Sequence, residues 1–556
     1  MSALITDKLV TPCGDTTTAA AGGYLDAAGN VFGSPGFLPN YVIDYAGNLG
    51  TVSSAPPVIG RLNFPNAITY VDVWTTDGQV ISTNRAATGP ATIGALAGYT
   101  IVESGVLSGA QLLTVAGPTT SLGDIMGGGK VILTSDSTIF GGNKVESGAT
   151  LQLGLDKCAT TGSLSTGTMR VEGTLNLYGA YTTAKSLTGQ LSVGATGTVN
   201  IEGCGGCGQG KIETGLSASP PWGGISAGGV LNVKNAITSV YPGNAGTINV
   251  NEGASIYATT TMNLGKVIVN SAGWKNASCA TEPTIGFTPG ATITGDVTVG
   301  SLGAVIRSTT AGNNTVSVTL RGTGNVSYGN CADSSGAFNS TNGGFTGDFT
   351  AYGGYIQPSA LSLSTSKLRL GCGVTWYMTD NSGPDYVYKS LQSATPADTN
   401  STFYTIHKKV TLTEQDPEPY YGKIATYLGG IDVQSGNFQI AGTASAATQP
   451  LTLLGSAKVG GYGANAVYGT GGALVVATAA GGLSLVTKPS KLTVGAFTAN
   501  SGFTVDIGAA YAASPGTYTI LTKSSGSSAI PTVGTNASGL TPTFSWVGNN
   551  LQMVLA

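Results

Sequence analysis

Charge is what this chain has least of. Only 9% of its 556 residues are Asp, Glu, Lys or Arg, the formal net charge is −3, and His407 is the one histidine. So sparse a set of cations excludes gripping a nucleic-acid backbone by counterion release. Apolar spacing at three and four is missing over any stretch longer than about ten residues, which excludes substantial helix. The Ala-rich pieces at 19–21 and 444–447 are short and flanked by Gly or Thr. Long apolar runs are missing as well. The most hydrophobic window, Gly471 to Val486, carries Thr478 and is interrupted by Gly481 and Gly482. It falls short of the roughly 20 apolar residues of a membrane span and reads as two rungs of core, so no membrane insertion is expected. The start, Met1-Ser2-Ala3-Leu4-Ile5-Thr6-Asp7-Lys8, lacks a basic segment followed by an apolar run, and neither a secretory signal nor a removed leader is expected.

Cysteine is scarce and scattered. Seven residues (Cys13, Cys158, Cys204, Cys207, Cys279, Cys331, Cys372) are an odd number and do not form the dense framework of a small secreted domain. Cys279 with Cys331, in neighbouring loops, is one pair that could close if the protein matures outside the cell, although no principle fixes the pairing. Cys204-Gly205-Gly206-Cys207 has the spacing of a zinc half-site or a redox pair. Zinc needs two further ligands, His407 is some two hundred positions away, and no helix is expected to activate a thiol, so a loop thiol or disulfide is the reading. Gly127-Gly128-Gly129-Lys130-Val131 resembles a phosphate loop, but Asp124 stands where its first glycine belongs and Val131 where Ser or Thr belongs. A turn before a strand is expected there. No metal and no cofactor is expected.

What is abundant is glycine, 86 residues, together with Thr, Ser, Val and Asn. One phrase recurs: Val145-Glu146-Ser147-Gly148-Ala149-Thr150-Leu151-Gln152-Leu153, Val171-Glu172-Gly173-Thr174-Leu175-Asn176-Leu177, then Val193-Gly194-Ala195-Thr196-Gly197-Thr198-Val199-Asn200-Ile201. It returns at Ile225–Val233, Val250–Ile256 and Pro289–Ile293. Taking Gly148, Gly173, Gly197, Gly229, Gly253 and Gly290 as equivalent, the steps are 25, 24, 32, 24 and 37. Each phrase alternates aliphatic and small polar residues and breaks at Gly, Asn or Ser, which is strand patterning closed by turns. Such a strand buries its apolar face only by lying on its neighbours. The expected fold is all-β: a parallel β-helix (β-solenoid), with coils of three strands of roughly five residues each.

Four regions are expected. Residues 1–95 are rich in proline (Pro35, Pro39, Pro56, Pro57, Pro65), a poor guest in stacked strands. They also hold two Gly-Asn turn signals, at Gly29-Asn30 and Gly47-Asn48, and read as a small N-terminal β attachment domain, joined at Thr88-Gly89-Pro90. Residues 96–375 are the β-helix shaft. Residues 376–430 read as an aromatic and polar insertion, and 431–556 as a C-terminal β-helix or β-rich cap.

The closing strands Gly516-Thr517-Tyr518-Thr519-Ile520-Leu521 and Gly548-Asn549-Asn550-Leu551-Gln552, with the Gly-Ala-Thr-Leu rungs upstream, resemble the end of autotransporter-type adhesin passengers. A β-helix that opens with a distinct module at an uncleaved Met resembles a bacteriophage tail fibre or tailspike more closely. That resemblance implies a virion protein made in the host cytoplasm and carried on the particle. It also implies a homotrimer, contacts with other virion proteins through residues 1–95, and attachment to a host-surface glycan or protein. A capsid decoration or head-fibre protein, a secreted or cell-surface adhesin, and a polysaccharide depolymerase are the alternatives.

A depolymerase would need paired carboxylates, about 5 Å apart if retaining. The dense acidic groups are Asp380 with Asp385, and Glu414, Asp416 and Glu418, whose alternate positions point to one face. Asp385, Asp416 and Glu418 are the catalytic candidates, against a reading as solvated loop charges or a polar binding surface, which is the expectation. For receptor binding the candidates are Trp376, Tyr386, Tyr388, Tyr404, Tyr420 and Tyr421, since sugar rings stack on aromatic faces. The alternative for the same rings is packing of the insertion onto the shaft or burial between subunits.

Overall fold

The structure is a computed structural model. It describes five short strands between residues 24 and 74 and most of the chain from residue 79 onward. The main segments outside the description beyond that point are 117–127, 180–189, 213–221, 330–334, 359–362 and 379–383. Two units are present, Met1–Gly286 and Phe287–Ala556. Together they hold about 15 turns of parallel β-solenoid, with 57% of the chain in strands. The described residues contain no α-helix, only a 3₁₀ turn at Ala509–Tyr511. The all-β expectation is met.

Among the described residues of the first unit, antiparallel strand pairs occur at the beginning, with one later isolated bridge between Lys275 and Thr281. Tyr24 and Leu25 face Phe32 and Val31, and Val58–Asn63 pairs on either side with Val42–Asp44 and Tyr70–Trp74. From Tyr70 the strands run parallel: Tyr70–Trp74 lies beside Ala91–Ala95, Gln79–Ile81 beside Thr100–Glu103, and Arg85–Ala87 beside Leu107–Gly109. Stacking therefore begins some 25 residues before the expected boundary at 95, and both strands flanking Thr88-Gly89-Pro90 belong to it.

The longest ladder of this unit shows why the sequence repeats. Lys130, Thr150, Thr174, Thr198, Val230, Thr247 and Lys266 stand in one row. The adjacent row of Val131, Leu151, Leu175, Val199, Leu231, Ile248 and Val267 is buried in the core. Next comes an outward row in which Asn249 donates to Asn232, Asn232 to Asn200 and Asn200 to Asn176, each at 2.7 Å through the side-chain amides. The steps along these rows, 24, 24, 32, 17 and 19 from Thr150 to Lys266, differ from those counted on glycines.

The glycines serve two purposes, and this explains the difference. Gly173 and Gly197 immediately precede their strands, where an added Cβ would lie 2.1 Å from a carbonyl oxygen of the preceding coil, that of Glu146 or Val171. Their true counterpart is Ala149, not Gly148, which sits in the turn at φ 80°. Gly253 precedes Ser255–Ala258, a strand of a different ladder paired with Ile237–Val240.

The second unit stacks in the same way. Asn313–Gly322 receives Ser335–Phe338 and Thr341–Phe345; the ladder continues through Tyr355–Pro358, Thr375–Met378, Thr402–Thr405 and Lys423–Thr426. A second ladder climbs from Ala304–Ser308 to Ser390–Ser393, and a third begins at Tyr386–Tyr388 and passes through Val410–Leu412 and Ile431–Val433. Residues 376–430 are thus rungs of the stack rather than an insertion. Their aromatic content fills the interior, where Phe338, Phe349, Trp376, Tyr388 and Phe403 form a chain of rings with centroids 4.7 to 6.4 Å apart. The strand Asn550–Leu555 ends the chain by pairing antiparallel with Gly516–Gly526 and Pro542–Val547.

Candidate functional site

Alternation along the strand decides which aromatic side chains reach the surface. Trp376 and Phe403 point inward and are fully buried, so their neighbours Tyr377 and Tyr404 point outward and are half-buried. Tyr377 and Tyr404 are directly in register, and their rings stack with centroids 4.9 Å apart and planes 23° from parallel. Tyr355, one coil earlier, adds its ring 4.3 Å from that of Tyr377. Its hydroxyl is held above the usual phenol value, first by burial and then by a hydrogen bond with Tyr377. On the following coil the residue in register with Tyr404 is Ala425, whose methyl group leaves the outer face of the Tyr404 ring without an aromatic cover. Tyr427, two residues further on, is 60% exposed. The ladder of three tyrosines thus ends at Ala425, exposed Tyr427 follows just past the end of that strand, and Thr375 and Thr402 carry hydroxyls on the strands of Tyr377 and Tyr404.

The structure separates the six expected receptor residues. Trp376, Tyr386, Tyr388 and Tyr420 have no exposed surface. Trp376 Nε1 donates to Tyr388 Oη at 3.0 Å, and Tyr420 Oη donates to the Lys423 carbonyl at 3.2 Å. Burial pushes the phenols of Tyr388 and Tyr420 well up. These four are core residues, and an approaching receptor cannot reach them. Tyr404 and Tyr421 remain partly exposed, and Tyr421 stands edge-on to Tyr462 at 5.8 Å. Tyr377 and Tyr427 bound the tyrosine stretch read for glycan binding but are not among the six named candidates, and Tyr355 lies outside that stretch. The signal that marks Tyr377 is the alternation itself, which sets it opposite in direction to Trp376.

The carboxylates are engaged elsewhere. Glu414, Asp416 and Glu418 do lie along one side, each beside a cation of an earlier coil. Asp416 meets Lys367 at 2.5 Å and accepts from Gln392 Nε2 at 3.1 Å. Glu418 meets Arg369 at 3.3 Å, an arginine shared with Asp348, and Glu414 meets Lys389 at 3.2 Å. The hydrogen bond to Asp416 holds the Lys367 ammonium above its ordinary value. Asp385 is exposed and accepts from the Lys409 backbone N–H at 3.3 Å. No contact joins Asp385 to Asp416 or Glu418, so the three do not assemble into a catalytic pair. Asp380 lies outside the described residues.

The cysteines pair differently from the expectation. Cys158 is joined to Cys204, and Cys207 to Cys279, with Cα atoms 4.6 and 4.9 Å apart. Cys279 is therefore not the partner of Cys331. The two thiols of Cys204-Gly205-Gly206-Cys207 are tied to different loops, which leaves no metal half-site there. Cys372 is also disulfide-bonded. The segment after the glycine run is the strand Lys130–Leu133, as a turn reading requires.

No protein-family model, no curated protein and no solved structure matches this chain.

Proposed function

We propose that this protein is a structural and adhesive β-solenoid of a bacteriophage particle, a tail fibre or tailspike, that contacts host-surface glycan through Tyr355, Tyr377, Tyr404 and Tyr427. The observation that carries the reading is the tyrosine ladder with its open end at Ala425. Stacked coils hold the rings in place before any ligand arrives, so little conformational entropy is lost on binding. A pyranose ring can lie on the free face of Tyr404 while threonine hydroxyls take up its polar groups. The proposal includes a homotrimer and docking on the particle through the first hundred residues. Catalysis is not part of it, because every carboxylate of the acidic row is already engaged by a cation.

Adsorption of purified protein to susceptible host cells tests this. Tyr404→Ala and Tyr377→Ala should each abolish most of the adsorption while circular dichroism stays unchanged. Full adsorption by the double variant would reject the tyrosine site. Release of reducing sugar ends by the wild type, abolished by Asp416→Asn, would instead establish a depolymerase.

The disulfides favour a second reading, an exported cell-surface adhesin, because such bonds form and persist in oxidising compartments. Thiol labelling of protein taken directly from the producing cell separates the two. A phage protein would carry free Cys158, Cys204, Cys207 and Cys279 until the particle is released, whereas an exported adhesin would be oxidised from the time it leaves the cytoplasm.

A further inference from the structure

On the long ladder of the first unit, the outward row of amides changes character at one end. Asn200 and Asn232 are half-exposed, but Asn176 is only 8% and Gln152 1% exposed, although both face outward by register. The loop that follows Leu153 folds back over them. It is held to the outer face by the Cys158–Cys204 disulfide and by Lys157, whose Nζ lies 2.6 Å from Glu202. Beneath and beside this loop is a hollow of about 380 Å³ lined by Lys130, Gln152, Leu155, Asp156, Lys157, Cys158 and Tyr178.

Three features of the lining are unused by the fold. Lys130 has no ion-pair partner among the described residues, and burial alone draws its ammonium below the ordinary value. Gln152 donates through Nε2 to the carbonyls of Gly154 and Leu155, at 2.8 and 2.9 Å. Those two acceptors fix the orientation of the amide, and its Oε1 accepts no hydrogen bond. Leu155 is 57% exposed at the rim. Unpaired buried acceptors are costly and uncommon, and a water or another donor usually satisfies them.

We propose that this hollow is a binding site for a carboxylate-bearing sugar residue, distinct from the tyrosine ladder. The carboxylate sits against Lys130 as a charge-assisted pair. Sugar hydroxyls donate to Asp156, and the apolar face of the ring rests on Leu155 and Tyr178. Asp156 is what selects a sugar acid over a simple anion: it repels a bare anion but accepts hydroxyl donors. The disulfide keeps the loop in place, so the site is built before the ligand arrives.

Calorimetric titration of the full chain tests this. The probes are oligosaccharides bearing galacturonate, glucuronate or sialate, the neutral galactose oligosaccharide, and acetate. At least one acidic sugar should bind about tenfold or more tightly than the neutral one, the value of one charge-assisted contact, and acetate should not bind measurably. Lys130→Gln should remove that preference. Opening the loop with the pair Cys158→Ser and Cys204→Ser should weaken acidic-sugar binding. The proposal is overturned if none of the acidic sugars binds, if acetate binds equally well, or if Lys130→Gln changes nothing. Because Tyr404 and Lys130 are tested separately, failure of one site does not decide the other.

Discussion

Gln415 pairs with the backbone of Leu391 as though its side chain were a peptide group. The Leu391 N–H donates to Oε1 at 2.9 Å, and Nε2 donates back to the Leu391 carbonyl at 3.0 Å. The reason lies next to it in the sequence. Pro417 and Pro419 have no N–H to offer, so residues 414–420 cannot form a regular strand between Ser390–Ser393 and Asn437–Ile440. They make only single bridges onward, Gln415 to Gly436 and Tyr420 to Ile440. The amide of Gln415 closes the edge that the prolines leave open.

Replacing Gln415 with Ala strands both groups of Leu391 on a covered edge and should cost about 2–3 kcal/mol. The check is hydrogen exchange at the Leu391 amide, which should accelerate by more than tenfold relative to amides of the first unit. Unchanged exchange at Leu391 would show that the pairing carries no stability.

Trp376 and Tyr377 are adjacent in sequence and opposite in role. Trp376→Ala empties an aromatic core position and removes the donor to Tyr388, with an expected cost of about 3–5 kcal/mol. Tyr377→Ala removes a half-exposed ring stacked on its neighbours, for about 1 kcal/mol. Denaturant unfolding of the two variants should show this difference, and cell adsorption should show the reverse order of effect.

The asparagine row makes a graded prediction. Asn232→Ala breaks two side-chain bonds, those to Asn249 and Asn200, whereas Asn249→Ala breaks one. The two variants should differ by about 1 kcal/mol, read from their unfolding midpoints.

Alkaline pH should unfold the second unit before ordinary tyrosine ionisation is complete. Burial raises the phenols of Tyr388, Tyr420 and Tyr468, and pushes that of Tyr511 up to about 12. Above pH 10 the unfolded chain gives up these protons and the folded one keeps them, so stability is intact below pH 10 and falls above it. The slope is about 1.4 kcal/mol per pH unit for each such tyrosine. Tyrosinate absorbance should therefore rise in one gradual phase from exposed rings and then in a cooperative one that coincides with loss of the strand circular dichroism signal.

Most of the stacking could be read from the sequence because an inward aliphatic row leaves a period-two trace, as in Leu151, Leu175 and Val199. The corners could not be aligned on glycine, because Gly148 answers a turn and Gly173 a close approach, and the two requirements fall one residue apart. The aromatic segment misled in the opposite direction. Trp376, Tyr386, Tyr388 and Tyr420 stand out by composition, yet direction along the strand, not ring count, determines exposure. The disulfides were not legible because coil lengths vary, and the loops carrying Cys207 and Cys279 adjoin across 72 residues. The role of Gln415 depends on what lies on the neighbouring coil, which its own surroundings in sequence do not encode.

The register of the first unit has a consequence for how such a chain can vary. Residues 174 to 197 make up one full circuit, since Thr174 stands over Thr150 and Thr198 over Thr174. Excising them would bring Thr198, Val199, Asn200 and Ile201 down onto Thr150, Leu151, Gln152 and Leu153, matching hydroxyl to hydroxyl, aliphatic to aliphatic and amide to amide. Height is thus an adjustable property of this polypeptide: whole storeys can be removed or duplicated while every floor above and below still finds a fitting neighbour.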